Sequence, residues 1–203
     1  MKLLAYIGTI SIIFGVFYSI RHIGDSYEAH HPTLNDQAVN PDLYLQNARF
    51  YGKGIETDRS LHHLERAMTS IKQIEQDMDL MSSEKVEKAL LKLEGVYEEI
   101  SHDSLNMEDL NEAFRYTLNT LALAELRVSE RYAEGNHMKL SLVALKYAQL
   151  HLKNAIRYAD QNSVAYEKDL FLQVDSILNE EIGPSLLVAE RINHVIDEID
   201  PTL

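Results

Sequence analysis

The chain has 203 residues and no Cys, and its 19 Lys and Arg face 32 Asp and Glu, a formal charge of −13. So acidic a chain lacks the basic patches that phosphate backbones require, which excludes nucleic acid as a partner. Without Cys there is no lipid-modified cysteine and no Cys-x-x-Cys-His haem attachment, and the composition suits an oxidising compartment.

Residues 3–20 are uncharged and lie between Lys2 and Arg21. As a helix rising roughly 1.5 Å per residue this run covers about 27 Å, close to the thickness of a bilayer's hydrocarbon core. The residues after it, from Tyr18 to Ile23, hold no small-x-small cleavage pattern, so the run reads as a retained signal anchor over residues 1–23. Stepped at about 100° per residue, Ala5, Gly8, Ser11, Gly15 and Ser19 share one third of the circumference. Tyr6, Ile7, Ile10, Ile13, Phe14 and Phe17 lie opposite. Small residues four apart let a second helix approach closely in lipid. The face is therefore expected to pack on a partner helix, from a larger membrane protein complex or from a second copy of the chain in a homo-oligomer.

Lys2 on one flank and Arg21 with His22 on the other give the positive-inside rule little to decide. From residue 25 onward 17 Lys and Arg face 32 Asp and Glu, a domain that anionic headgroups of the bilayer repel. That balance, with the lack of Cys, predicts a single-pass protein with a cytoplasmic N-terminus and a C-terminal domain in the periplasm or outside the cell.

Residues 24–57 hold Gly24, Pro32, Pro41, Gly52 and Gly54, and read as a stalk with one short helix near Asp42 to Tyr51. Beyond it, residues 58–203 show apolar positions recurring every three and four residues and no alternating strand pattern. A first core helix is predicted over 58–79, carrying Leu61, Leu64, Met68, Ile71 and Met78. A second, capped at Ser82 or Ser83, carries Val86, Leu90, Leu93, Tyr97 and Ile100. Asn106 caps a third that runs to residue 133 and ends at Gly135 and Asn136. A fourth, over 137–160, is apolar on the widest arc and is expected to be the central helix. Shorter helices over 163–181 and 184–199 follow, punctuated by Gly183 and Pro184. The expected fold is all-α: a transmembrane helix, a stalk, then an antiparallel four-helix bundle with an added C-terminal helical hairpin.

Nine His raise the question of a metal. The two Glu-x-x-His spacings, Glu28 with His31 and Glu134 with His137, abut Pro32 or straddle Gly135 and Asn136, so neither projects from a regular helix. His62 and His63 adjoin and diverge, His194 pairs on the surface with Glu190 one turn earlier, and His22 reads as a headgroup anchor. Gly52-Lys53-Gly54 lacks the rest of a phosphate loop, and no Gly-x-Ser-x-Gly exists. No catalytic, cofactor-binding or metal-binding residue is therefore expected, and the chain reads as a non-enzyme. The function expected is that of an accessory or scaffold subunit of a membrane complex, docking through leftover apolar residues of the fourth helix and the C-terminal hairpin. The alternative is a membrane-tethered periplasmic sensor that binds a small ligand in a pocket lined by Tyr116, Tyr147 or Tyr158.

Overall fold

The computed structural model describes residues 36–52, 56–75, 78–180 and 184–203. The apolar run 3–20, with Ala5, Gly8, Ser11, Gly15 and Ser19 and with His22 beyond it, lies outside the described residues. Among the described residues there is no strand, and no helix is long and apolar enough to cross a membrane. A short 3-10 turn, Asp36–Val39, leads into α1 (Asn40–Gly52). Then come α2 (Thr57–Glu75), α3 (Leu80–Ser101), α4 (Met107–Glu134), α5 (Met138–Ala155), α6 (Val164–Asn179) and α7 (Ser185–Ile199), with a closing 3-10 turn at Asp200–Thr202.

Local chemistry sets the helix ends. Asn106 accepts a hydrogen bond from the Glu108 amide (2.9 Å) and caps α4 as predicted, with Glu108 and Asp109 at the positive end of the helix. Asn136, at φ 60°, takes the left-handed turn between α4 and α5, a conformation that Asn tolerates better than most residues. The cap of α3 differs from the expectation at Ser82 or Ser83. Asp79 fills it, accepting from the Ser82 amide (2.9 Å) and the Ser82 hydroxyl (3.1 Å), because the helix begins with Leu80 and Met81 and the carboxylate is the stronger acceptor.

The core forms two apolar clusters that share α4. The first joins Leu45 and Ala48 of α1, Leu64 and Ile71 of α2, and Leu90 and Leu93 of α3 to Phe114 and Leu118 in the N-terminal half of α4. The second joins Leu123 and Leu126 farther along α4 to Leu145 and Leu152 of α5, Leu170 and Val174 of α6, and Ile192 and Ile199 of α7. The central helix is thus α4 and not the fourth predicted helix, which is α5. Every residue from Thr117 to Arg127 is buried. On α5, Val143 is exposed and Leu142, Tyr147 and Leu150 are half-buried. Polar residues disguised the burial of α4: Thr117 and Thr120 satisfy their hydroxyls on the carbonyls of Ala113 (2.8 Å) and Tyr116 (2.9 Å), a turn back in the same helix.

The packed body begins at Asp36, so α1 belongs to it. Leu45 and Ala48 are fully buried, and the Ser60 hydroxyl of α2 donates to the Ala48 carbonyl (2.7 Å). The helix expected inside the stalk is therefore part of the core, its apolar stripe being too narrow to stand out between Pro41 and Gly52.

Candidate functional site

The densest buried polar chemistry lies along the seam between α1 and α5. Asp42 sits one residue after Pro41 in the first turn of α1, where a carboxylate suits the helix's positive end. It is 5% exposed, and it accepts from His151 Nδ1 of α5 (2.7 Å) and from the Asn154 amide (2.5 Å). One turn on, Arg157 donates to Gln46 Oε1 (3.3 Å), and a further turn on the Arg49 guanidinium lies 5.3 Å from the centre of the Tyr158 ring. Residues 42, 46 and 49 thus meet 151, 154, 157 and 158 as complementary polar stripes, each at helical spacing.

Glu125 of α4 closes the seam from beneath. It is 7% exposed, and its Oε2 has no hydrogen-bond partner. Burial pushes its pKa up to about 7, opposed by the nearby charge of His151. For His151, burial disfavours the imidazolium, but the Asp42 charge and hydrogen bond, helped by Glu125, outweigh it and raise the pKa. Both shifts favour the protonated forms of Glu125 and His151. His151 is 1% exposed, so its imidazole is closed to solvent in this structure.

Other charged groups tie separate elements of the fold together. Arg127 of α4 reaches Asp200 (3.2 Å) and Asp79 (3.7 Å), and Lys85 of α3 also pairs with Asp200 (2.8 Å). Burial works to raise the Asp79 pKa, but the two hydrogen bonds from Ser82 and the charges of Arg127 and Arg131 bring it below the usual value. Fully buried Glu167 of α6 accepts from Arg115 (2.9 Å) and Asn119 (2.8 Å) of α4. Each link joins separate elements of the fold, and Arg115 also lines a hollow of about 540 Å³ with Tyr158 and Asp160.

The described surface carries several depressions. A groove of about 560 Å³ runs between α6 and α7, floored by buried Ile177 and Val195 and flanked by Leu172 (59% exposed) and Leu187 (50% exposed). A cleft of about 210 Å³ opens between α1 and the end of α5, lined by Gln46, Arg49, Phe50, Arg157 and Tyr158. Of the tyrosines expected to line a ligand pocket, Tyr158 lines this cleft and also the hollow of about 540 Å³ shared with Asn111, Arg115 and Asp160, and Tyr147 lines a surface depression on α5 and α6. Tyr116 is otherwise engaged, donating its hydroxyl to the Leu203 carbonyl (2.6 Å).

Among the described residues, no three His, Asp or Glu side chains are placed to hold a metal ion. His63 stacks on Tyr51 (5.4 Å between ring centroids) with His62 edge-on beside it, so the two adjacent His do not converge. His194 pairs with Glu198 (3.4 Å), one turn later, and not with Glu190. The five small residues of the expected partner-helix face, Ala5, Gly8, Ser11, Gly15 and Ser19, fall outside the described residues. Sequence reasoning missed Asp42, Glu125 and His151. The pairing of Asp42 with His151 spans 109 positions, and only the matching polar stripes on two separate helices could have suggested it. No protein-family model, curated protein or solved structure matches this chain.

Proposed function

We propose that the protein is a non-catalytic accessory or scaffold subunit of a larger membrane complex. In this reading residues 1–23 span the bilayer once from a cytoplasmic N-terminus. They pack on a partner helix through Ala5, Gly8, Ser11, Gly15 and Ser19, while the acidic helical bundle docks in the periplasm or outside the cell. The observation that carries the reading is the groove between α6 and α7, where Leu172 and Leu187 stand exposed above an apolar floor. Leucines left in water beside a concave apolar surface favour a partner that removes them from it. Mild detergent extraction of the native full chain tests this. Leu172→Glu with Leu187→Glu should abolish co-extraction of the complex while helix content stays unchanged. Leu91→Glu, an exposed leucine on α3, should not. Equal recovery from all three chains would reject the groove as the docking surface.

The cleft at Tyr158 favours a second reading, a membrane-tethered sensor that binds a small molecule. That protein would extract as a monomer or homodimer and would bind its ligand saturably.

A further inference from the structure

The cleft between α1 and the end of α5 gathers groups whose donor capacity the protein itself does not use. Eight arginines lie among the described residues, and five of them have a carboxylate within 4.0 Å: Arg59, Arg115, Arg127, Arg131 and Arg191. Arg66, without a carboxylate, donates to the Tyr44 hydroxyl (2.6 Å). The remaining two, Arg49 and Arg157, line one cleft and have no carboxylate partner among the described residues. This is unexpected in a chain that carries 24 Asp and Glu against 12 Lys and Arg from residue 76 onward.

The surroundings orient both side chains. The Arg49 guanidinium carbon lies over the Tyr158 ring, 5.3 Å from its centroid, a cation–π contact that holds it at the cleft wall. Its Nε is buried without an acceptor. Arg157 is held by Gln46 Oε1 (3.3 Å), one hydrogen bond out of the five that a guanidinium can donate. Tyr158 is itself fixed edge-on against Phe114 (5.5 Å between centroids), and burial raises its pKa to about 12, so its hydroxyl stays protonated. Asp42, the carboxylate on the same helix, is already paired with His151 and Asn154.

We infer that the cleft lined by Gln46, Arg49, Arg157 and Tyr158 binds a small phosphate-type oxyanion. Two guanidinium groups on different elements offer more donors than one planar carboxylate can accept, whereas a tetrahedral anion presents oxygens in several directions. At about 210 Å³ the cleft is smaller than the usual 300–1,000 Å³ of drug-sized ligand pockets, which suits an anionic group and not a large organic body. The inference stands apart from docking at α6 and α7, and it supplies the second reading with a ligand class.

The test is titration of the full chain, in mild detergent at constant ionic strength, with inorganic phosphate and with glycerophosphoglycerol. The second probe is the headgroup of an anionic phospholipid freed from its acyl chains. Wild type should bind one of them saturably. Arg157→Gln, an exposed substitution, should weaken that binding about tenfold, and Tyr158→Phe should weaken it several-fold. Arg66→Gln removes an equal charge elsewhere and should leave it unchanged. Preference for inorganic phosphate would support the site with a free anion as ligand, and preference for the diester would support it with a lipid headgroup. Absence of saturable binding to either probe, equal loss in Arg66→Gln, or equally tight binding of acetate would overturn it. Failure here would leave groove-dependent co-extraction untouched, so the two proposals fall separately.

Discussion

The α1–α5 seam and the α6–α7 groove use opposite means at the two ends of one scaffold. At the seam, charged and amide groups are buried, and Asp42, His151 and Asn154 answer one another. At the groove, an apolar floor is formed but Leu172 and Leu187 remain in water. Buried polar groups are costly when unpaired and modest in net value when paired, so the seam chiefly fixes where α1 sits. Exposed leucines cost the isolated chain little and contribute only when something covers them. Around Asp42 the first region answers its own polar groups, whereas the second leaves leucines exposed.

The sharpest way to break this comparison is to remove one partner at the seam. Asp42→Ala leaves a buried imidazole without its counter-ion and should destabilise the fold by about 3 kcal/mol in chemical denaturation. Leaving out α1 altogether should act in the same direction. A fragment starting at Asp58 loses the burial of Leu45 and Ala48 as well as Asp42, and should unfold at a lower denaturant midpoint than one starting at Asp36.

Protonation sharpens the contrast further. Glu125 and His151 both have folded pKa values above their ordinary ones, so the folded chain binds protons more tightly than the unfolded chain. The stability they contribute is present in acid and is lost as pH rises. For Glu125 the loss runs from its ordinary value of 4.5 up to about 7, and for His151 it runs upward from 6.5. Glu125→Gln should therefore stabilise the domain by about 2 kcal/mol at pH 8 and by little at pH 4.5. Denaturant midpoints of both chains across that range would reveal it. A difference independent of pH would mean that Glu125 is not ionising in the fold.

The smallest stability effect is expected at the groove. Leu187→Glu should change stability by less than about 0.5 kcal/mol, because the side chain is already half in water. A larger loss in thermal or denaturant unfolding would show that the groove is part of the core.

The sequence carried the helices well wherever apolar spacing and turn residues agreed. Asn106 caps α4, and Gly135 with Asn136 ends it, as the pattern required. It carried less where polar residues are buried. The run Thr117–Arg127 reads as mixed because Thr117, Thr120, Asn119, Glu125 and Arg127 interrupt it. The partners of Thr117, Thr120, Asn119 and Arg127 lie in the same helix or far away in the chain, and Glu125 Oε2 has no hydrogen-bond partner. The wide apolar arc of α5 suggested centrality, yet part of that arc faces water at Val143. Asp42 and His151 were invisible as a pair for a related reason, since each alone looks like an ordinary polar residue on a helix. Among the described residues, the groove leucines were legible only as leftover apolar positions on the C-terminal hairpin.

Direct titration of His151 by NMR in the folded chain, followed in wild type and in Asp42→Asn, tests most closely the claim that an ion pair closes the seam. The imidazole should remain protonated above pH 6.5 in wild type and should lose its proton at a lower pH in the variant, where burial acts without the carboxylate's charge. Deprotonation of wild-type His151 at or below pH 6.5, unchanged in Asp42→Asn, would contradict the account.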